Sequence, residues 1–347
     1  MTSMERMLKT LNHEQPDRTP VYPLIAGAAR RLVNASYPEW STNADLCAES
    51  LIKAQKEFNM DCVVTLIDLS IECTAWGQEL IFPENEAAHP NYKNCVIQDI
   101  DEYEKIKKVD YRTCERMMMH IDVCKKVVEA AKGEYPVIAF VFGPLGTLSM
   151  LRNQSEMYMD IFDDPDVVRD AAAEIKETLK EYCTALMETG VQGIMFDTLF
   201  SSGSIMRKEM WDDMEGELVE DLANHVHDMG GLVMIHNCGE KIYLDAQIKR
   251  MKPEAISLLF PADDCVDFAE TKAKYGHLTT LAGCVEPTKV VFGEEEAFVQ
   301  ECKDHIDAMA KDGGYILALG CEYPANASFD RAHKMYEIAT TYNPYAK

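Results

Sequence analysis

Short runs of apolar residues alternate along the chain with longer stretches in which apolar residues recur every three or four positions. The short runs are typical of buried strands, and the longer stretches are typical of amphipathic helices. Strands are predicted at residues 19–25, 62–67, 136–142, 193–197, 231–238, 255–258, 278–285 and 315–319. The main helices are predicted at residues 4–11, 44–58, 114–132, 155–188 and 208–229. The helical region 155–188 is expected to break near Asp164 and Pro165.

This alternation predicts the fold class. Strands separated by helices imply a parallel sheet with crossover helices, and eight such units over 347 residues fit one closed (β/α)8 barrel, a TIM barrel. We expect a single α/β domain over residues 1–347, with an N-terminal helical extension at 1–18 and an irregular segment at 78–110 that covers one end of the barrel. A doubly wound sheet is the alternative, but no glycine-rich dinucleotide fingerprint follows any predicted strand.

Composition adds limits on partners and location. Hydrophobic residues make up 47% of the chain, enough for a sizeable core, and the net charge of −25 disfavours binding to nucleic acid or to an anionic membrane surface. The first residues lack the apolar core of a signal peptide, and no apolar run is long enough to span a membrane, so we expect a cytoplasmic protein. In that reducing compartment, most of the 12 cysteines are expected to be small buried hydrophobes.

The strongest candidate chemistry lies at two predicted strand ends. His236 and Cys238 end the fifth strand, and their side chains project together because alternate residues of a strand point to one face. Cys321 follows the eighth strand, and the ends of all barrel strands meet on one face. Thiolate and imidazole suit zinc, and three protein ligands leave one position for a substrate. The alternative for His236 and Cys238 is a histidine bonded to a backbone carbonyl beside a buried cysteine.

Acidic residues follow several of the same strands. Asp197 ends the fourth strand and Glu72 lies in the loop after the second, so both are expected to face the barrel mouth. There they could orient the metal-bound histidine, act as a base or supply a fourth ligand; the alternative is a helix cap or a solvated loop. Glu286 and Glu322, just past the last two strands, are weaker candidates of the same kind. Gly143, in the turn after the third strand, could let a ligand approach the backbone.

Several of these segments resemble one protein family. They are Arg18-Thr19-Pro20-Val21, Asp68-Leu69-Ser70 with Glu72 and Gly77, Gly143-Pro144, Asp197, His236-Asn237-Cys238-Gly239, Gly283-Cys284-Val285-Glu286-Pro287 and Gly320-Cys321. Across nearly its whole length the chain resembles the uroporphyrinogen decarboxylase superfamily, and within it the zinc-dependent, corrinoid-linked methyltransferases typified by methylcobamide:coenzyme M methyltransferase. The metal pattern of that branch is His-x-Cys followed much later by Cys, which His236, Cys238 and Cys321 match.

The resemblance implies a (β/α)8 barrel that binds Zn²⁺ through His236, Cys238 and Cys321. It also implies transfer of a methyl group between a corrinoid and a small thiol, or another small methyl donor or acceptor. The corrinoid, methylcobalamin, would be a co-substrate carried by a separate small corrinoid-binding protein. The residues assigned to catalysis are Asp197 and Glu72, and those assigned to substrate binding are Gly143, Asn237 and Glu322.

Decarboxylation of a tetrapyrrole is the alternative function. Decarboxylases of this superfamily carry an arginine- and glycine-rich N-terminal segment that binds the carboxylates of the porphyrinogen. The matching region here, Ala26-Gly27-Ala28-Ala29-Arg30-Arg31, keeps paired arginines but not that pattern. Porphyrinogen decarboxylation needs no metal and would leave the histidine and two cysteines unexplained. A corrinoid or metal binder without enzymatic activity is a further alternative, and the sequence does not indicate an oligomeric state.

Overall fold

A computed structural model describes residues 1–346, and its main sheet is a nearly closed barrel of eight parallel strands. The strands are β1 (Val21–Tyr22), β2 (Val63–Thr65), β3 (Val137–Phe142), β4 (Gly193–Asp197), β5 (Leu232–Asn237), β6 (Ala255–Leu258), β7 (Thr280–Val285) and β8 (Tyr315–Leu319). Each strand from β2 to β7 pairs with the next along the chain, and β8 pairs with β1. The predicted single-domain (β/α)8 barrel is therefore confirmed.

Helices connect the strands and cover the outside of the barrel. They are α1 (Ser3–Leu11), α2 (Tyr37–Ser41), α3 (Ala44–Phe58), α4 (Glu115–Ala131), α5 (Pro144–Arg152), α6 (Gln154–Asp163), α7 (Pro165–Glu188), α8 (Lys208–Trp211), α9 (Glu217–Asp228), α10 (Leu244–Met251), α11 (Phe268–Tyr275), α12 (Thr288–Phe292), α13 (Glu295–Met309) and α14 (Asp330–Thr341). Short 3₁₀ turns lie at Gly27–Val33, Glu72–Trp76, Ile100–Lys105, Tyr111–Thr113 and Pro344–Ala346, and a π turn lies at Asp212–Gly216. Among residues 1–346, no helix has both the length and the apolar character needed to cross a bilayer.

Three elements differ from the sequence-based expectation. The first strand is shorter than predicted, because the prolines at positions 20 and 23 cannot donate to a ladder and Leu24 has φ of 56°. The turn predicted after the third strand opens directly into α5, with Pro144 at its first position, where a missing N–H does no harm. The helix predicted at 208–229 is interrupted by the π turn.

Side chains alternate between the two faces of the barrel wall. Those of Ile138, Phe140, Met195 and Met234, among others, fill the barrel interior, while their neighbours along each strand pack outward against the helices. At the amino-terminal end of the strands, which we call the bottom, Met7 of α1 belongs to the same interior cluster. The helical extension therefore contributes to the core.

The segment at 78–110 lies over the opposite end, the mouth, where the strands end. It contains a two-stranded antiparallel hairpin, Leu80–Ile81 with His89–Pro90. Ser70 Oγ, after β2, donates to Ala88 O at 2.9 Å, and Asn326 Nδ2, after β8, donates to Asn85 O at 3.1 Å. These bonds fasten the segment to loops on two sides of the mouth.

Candidate metal centre

Three side chains from two distant segments meet at the mouth. His236 is near the end of β5 and points inward like Met234 two residues before it, and Cys238 follows just past the strand end with the same orientation. Cys321 comes two residues after β8. The imidazole nitrogen and the two Sγ atoms lie within 4.8 Å of one another. Ligands about 2.0–2.3 Å from one tetrahedral zinc ion lie roughly 3.5–3.8 Å apart, so a small adjustment would bring this set onto the metal.

The turn into Cys321 requires a glycine. A Cβ atom added to Gly320 would lie 2.6 Å from Leu259 Cα, so only a residue without a side chain fits against the loop after β6. The N–H of Gly320 donates to Val285 O at 2.8 Å, which ties the end of β8 to the end of β7. The position of Cys321 is therefore determined by the backbone of neighbouring strands.

His236 is held by a residue that the sequence did not indicate. Its Nδ1 atom lies 3.1 Å from Ser257 Oγ, and the two residues are direct partners in the β5–β6 register. Both side chains are buried. With Nδ1 engaged by the hydroxyl, Nε2 is the nitrogen left to bind a metal, and a partner of this kind fixes the orientation of a metal-binding histidine.

The three side chains change one another's pKa values. The Cys238 thiol beside it lowers the pKa of Cys321, against the effect of burial and with further help from His236. The Cys321 thiolate in turn raises the pKa of Cys238. Burial alone would lower the pKa of His236, but the nearby Cys321 thiolate outweighs it and raises that pKa. A favoured thiolate, a second cysteine and an imidazole form a set of ligands that zinc binds well, so these three side chains fit that ion.

The ligands lie at one side of a cavity of about 200 Å³ in the barrel mouth. Most of its wall is apolar and comes from inward-facing residues of the barrel and of the covering segment, namely Tyr22, Leu24, Val64, Leu66, Leu69, Ala87, Phe140, Met195 and Leu199. Its remaining polar wall is acidic and comes from Asp68, Asp197 and Glu322. The cavity therefore joins a dry apolar chamber to a potential metal site.

Asp197 lines this cavity and is the register partner of His236 between β4 and β5. Its Oδ1 atom accepts the N–H of Leu199 at 3.0 Å. Burial raises the pKa of Asp197 to about 6, although the charge of His236 acts in the opposite direction. No hydrogen bond joins Asp197 to His236 among the described residues, so the orienting role expected for this carboxylate falls to Ser257; its role as a base or fourth ligand stays a prediction.

Glu322 also lines the cavity, next to Cys321. Its Oε1 atom accepts the N–H of Gly27 at 2.8 Å, and burial raises its pKa to about 7. The structure thus brings this predicted substrate-binding residue to the cavity. Glu286, in contrast, is exposed and lies near Lys289, outside the cavity wall.

Asp68 is a cavity residue that the sequence analysis did not assign to the site. It lies two residues after the inward-facing Leu66 and forms a two-pronged ion pair with Arg116, at 3.0 and 2.6 Å. The signal that could have identified it is the alternation of Cys62, Val64 and Leu66, which all face the interior.

Glu72 does not face the mouth, contrary to expectation. It begins a 3₁₀ turn after β2, its Oε1 atom accepts the N–H of Phe142 at 3.1 Å, and it is absent from the cavity wall. Burial raises its pKa to about 8. The turn folds this side chain under the end of β3, where it supports the barrel, and its catalytic role stays a prediction.

Gly143 and Asn237 do not line the cavity, and their assignment to substrate binding stays a prediction. The N–H of Gly143 donates to Asp197 O at 3.1 Å, and a Cβ atom there would lie 2.9 Å from the same oxygen, so the glycine serves contact between β3 and β4. Asn237 is fully buried and donates to the carbonyls of Thr198 and Ser201. It points away from the cavity because it alternates with His236 and Cys238.

The paired arginines of the N-terminal region contact protein rather than the cavity. Arg30 donates to Ala325 O at 3.0 Å and to Asn326 Oδ1 at 2.7 Å. Arg31 donates to Ala327 O and lies over the ring of Phe329. Both guanidinium groups therefore hold the loop after β8, and neither lines the cavity.

Comparison with known sequences gives a consistent result over the chain. The model of the family uroporphyrinogen decarboxylase (URO-D) matches residues 2–342. A uroporphyrinogen decarboxylase from Xanthomonas oryzae pv. oryzae is 23% identical over 333 residues, which cover 90% of each chain. A uroporphyrinogen decarboxylase from Histophilus somni is also 23% identical, over 91% of this chain and 90% of its own.

Comparison with solved structures gives the same fold. A methyltransferase from Methanosarcina mazei superposes with a TM-score of 0.78 at 18% identity and 98% coverage of both chains. A B12-independent methionine synthase from Shewanella sp. W3-18-1, in complex with selenomethionine, superposes with a TM-score of 0.52 at 12% identity, over 84% of this chain and 85% of its own. At these identities the similarity establishes the barrel fold alone.

Proposed function

The chain belongs to the uroporphyrinogen decarboxylase family, and we propose that within this family it is a zinc-dependent methyltransferase. It moves a methyl group between a corrinoid, presented by a separate small corrinoid-binding protein, and a small thiol or other small methyl donor or acceptor. The observation that supports this proposal most is the meeting of His236, Cys238 and Cys321 at a small apolar cavity. The fold similarity to the Methanosarcina mazei methyltransferase agrees with it.

The protein side of the proposed site is complete apart from one ligand position. Cys238, Cys321 and Nε2 of His236 would hold Zn²⁺, and Ser257 would keep the imidazole in the required orientation. When bound, zinc would lower the pKa of a thiol that takes its remaining position, and so supply a nucleophile near neutral pH. The apolar wall, including Phe140 and Met195, keeps water away from that nucleophile.

The size of the cavity determines which of the two substrates can enter it. About 200 Å³ is the volume of about seven water molecules, since each occupies roughly 30 Å³ in the liquid. This space suits a thiol of a few heavy atoms and excludes a corrin macrocycle, which must stay at the rim and present its methyl group inward. In the thiol-methylating direction, a carbon–sulfur bond forms, the cobalt–carbon bond breaks with its electron pair left on cobalt, and the thiol proton goes to solvent.

The same features disfavour decarboxylation of a porphyrinogen, the activity named for the curated relatives. That substrate is a macrocycle with many carboxylates, whereas the cavity is small and its wall holds carboxyl groups and no lysine or arginine. Arg30 and Arg31, the residues best situated in sequence to bind such carboxylates, are engaged with the loop after β8. Like charges in a confined space repel, which opposes entry of a polyanion.

The test is an anaerobic assay with zinc-loaded protein, free methylcobalamin and a panel of thiols, with tetrahydrofolate as a further acceptor and aryl methyl ethers plus cob(I)alamin for the reverse direction. We expect a thiol to cause loss of the methyl–cobalt absorbance and to appear as its methyl thioether. The matched control is the same protein after removal of zinc by a chelator, which should be inactive. Decarboxylation of uroporphyrinogen by the zinc-free protein, with no methyl transfer by the loaded one, would contradict the proposal.

A further inference from the structure

Apart from the three ligands, the polar residues of the cavity wall are all acidic. It is formed by Asp68, Asp197 and Glu322 beside the three ligands, and none of the residues that line the cavity is a lysine or an arginine. A buried anion requires a cation or several hydrogen-bond donors around it. A negatively charged group of a substrate would therefore find no lysine or arginine partner in this wall.

Arg116, the cation that contacts a cavity residue, is already paired. Arg116 binds both carboxylate oxygens of Asp68 and donates in addition to Ser41 O at 3.2 Å. Because Asp68 lies between this guanidinium group and the cavity, its charge is balanced in place. Asp197 and Glu322, in contrast, form no ion pair with a lysine or arginine anywhere in residues 1–346.

Each of these two carboxyl groups keeps a free oxygen. Asp197 uses Oδ1 for the N–H of Leu199, and Glu322 uses Oε1 for the N–H of Gly27. The second oxygen of each takes no hydrogen bond from residues 1–346. A buried or half-buried acceptor without a partner is favourable only if something else donates to it. A substrate with a hydrogen-bond donor at its non-reacting end would supply that partner.

From this arrangement we infer the chemical class of the small substrate: a compact thiol, or its methylated form, whose non-reacting end carries an ammonium or hydroxyl donor and not an acid group. The inference rests on the proposed function, since the thiol end is assigned to the ligand set. The two cysteine thiolates already balance a divalent ion, so a bound substrate thiolate leaves the centre with net negative charge. An ammonium end offsets that charge, whereas a sulfonate or carboxylate end adds to it.

The test compares thiols that share a two-carbon chain and differ only at the far end: 2-aminoethanethiol, 2-mercaptoethanol, 3-mercaptopropionate and 2-mercaptoethanesulfonate. Binding to the zinc-loaded protein is measured by calorimetry without any methyl donor, and kcat/KM is measured separately with methylcobalamin. Affinities are expressed per concentration of thiolate, because the thiols differ in pKa. We expect the amine and the alcohol to bind at least about tenfold more tightly than the sulfonate.

Two charge-neutralising variants assign this preference to the cavity. Glu322→Gln removes one cavity carboxylate and should reduce the amine-to-sulfonate preference several-fold. Glu240→Gln makes the same change in net charge on an exposed residue near the mouth that does not line the cavity, and should leave the preference unchanged. An equal reduction in both variants would show a diffuse effect of the acidic protein and would overturn the assignment.

The outcomes separate this inference from the proposed function. Tighter binding of the sulfonate or carboxylate thiol, with methyl transfer intact, overturns the substrate class and leaves the methyltransferase proposal standing. If no thiol binds, the methylated form is tested, with 2-(methylthio)ethylamine against 2-(methylthio)ethanesulfonate as methyl donors to cob(I)alamin. Preference for the sulfonate, or reaction with neither thioether, would then overturn the inference as well.

Discussion

The two ends of the barrel contain buried polar clusters of opposite character. At the bottom, Asp61 is fully buried before β2 and accepts hydrogen bonds from Ser3, Arg6, Arg18 and the N–H of Val21, at 2.7–3.1 Å. Its own N–H donates to Val21 O at 2.9 Å, so the residue joins β1 to β2 where the sheet has no strand ladder. Every oxygen of this carboxylate has a partner within the protein.

At the mouth, several polar groups have acceptor atoms that no other group among the described residues uses. The two cysteine ligands and Nε2 of His236 are left for a metal, and Asp197 and Glu322 each have one oxygen without a partner in residues 1–346. A cluster that is fully satisfied internally stabilises one structure, whereas a cluster with unused donors and acceptors is prepared for something that binds. The comparison assigns stability to the bottom and chemistry to the mouth, as is usual in barrels of this kind.

The largest effect is expected from removing a ligand at the mouth. In Cys238→Ala, zinc content should fall from about one per chain to nearly none and methyl transfer should fall by more than about 100-fold, because two ligands do not hold the ion. The midpoint of urea unfolding, measured on the zinc-free proteins, should hardly change. Cys265→Ala, in another loop at the mouth but outside the cavity, is the control and should keep both zinc and activity. Full zinc content in Cys238→Ala would contradict the assignment of Cys238 as a zinc ligand.

The bottom cluster should respond in the opposite way. Asp61→Asn leaves the buried guanidinium groups of Arg6 and Arg18 without their shared counter-charge and should lower the free energy of unfolding by about 3–5 kcal/mol. Zinc affinity of the folded protein should not change. Asp17→Asn removes a more exposed partner of Arg6 and should lower stability by less than about 1 kcal/mol. Equal losses in the two variants, from urea unfolding, would contradict the special role of Asp61.

Glu72 allows a test by pH, because the structure assigns it to the scaffold. Its pKa of about 8 in the folded protein exceeds the ordinary value of 4.5, so the folded state holds the proton more tightly than the unfolded state. Its contribution to stability is therefore complete below the ordinary value and is lost as pH rises towards about 8, by at most about 1.4 kcal/mol per pH unit.

In Glu72→Gln this loss should disappear, so the stability difference between variant and wild type should shift in favour of the variant from about pH 6 to about pH 8. Urea unfolding of both proteins at the two pH values measures it, and other titrating groups cancel in the comparison. A difference that stays constant with pH would show that Glu72 does not titrate in this range.

The smallest effect is expected at Ser257. Ser257→Ala removes the hydrogen bond to Nδ1 of His236 and should weaken zinc binding about tenfold, as judged by competition with a chelating dye. Ser257→Thr keeps the hydroxyl and should restore most of the affinity. Unchanged affinity in Ser257→Ala would mean that another group orients the imidazole, with Asp197 the nearest candidate in the strand register.

The barrel and the ligand set could be predicted because both depend on regular spacing. The period of two along β5 brings His236 and Cys238 to one face, and parallel strand ends bring Cys321 to the same rim. The same period also predicts that Asn237 lies on the opposite face, where the structure has it. The first strand, which is shorter than predicted, shows the limit of the apolar pattern alone, because prolines flank its two paired residues.

Other features depend on contacts that a sequence does not specify. Ser257 is an ordinary residue inside β6, and only the β5–β6 register brings its hydroxyl to His236. Glu72 and Asp68 lie in the same loop, yet a 3₁₀ turn buries the first under β3 and leaves the second in the cavity wall. Side-chain direction within loops is determined by such local turns, for which no periodic pattern exists.

X-ray absorption spectroscopy at the zinc edge, on zinc-loaded protein before and after addition of 2-aminoethanethiol, tests the central claim most directly. With three protein ligands and one replaceable position, the resting spectrum should fit two sulfur and two lighter ligands, and the thiol should convert this to three sulfurs and one nitrogen, at about 2.3 Å for each zinc–sulfur bond. A first shell that is already complete with protein ligands and does not change on addition of any thiol would contradict it.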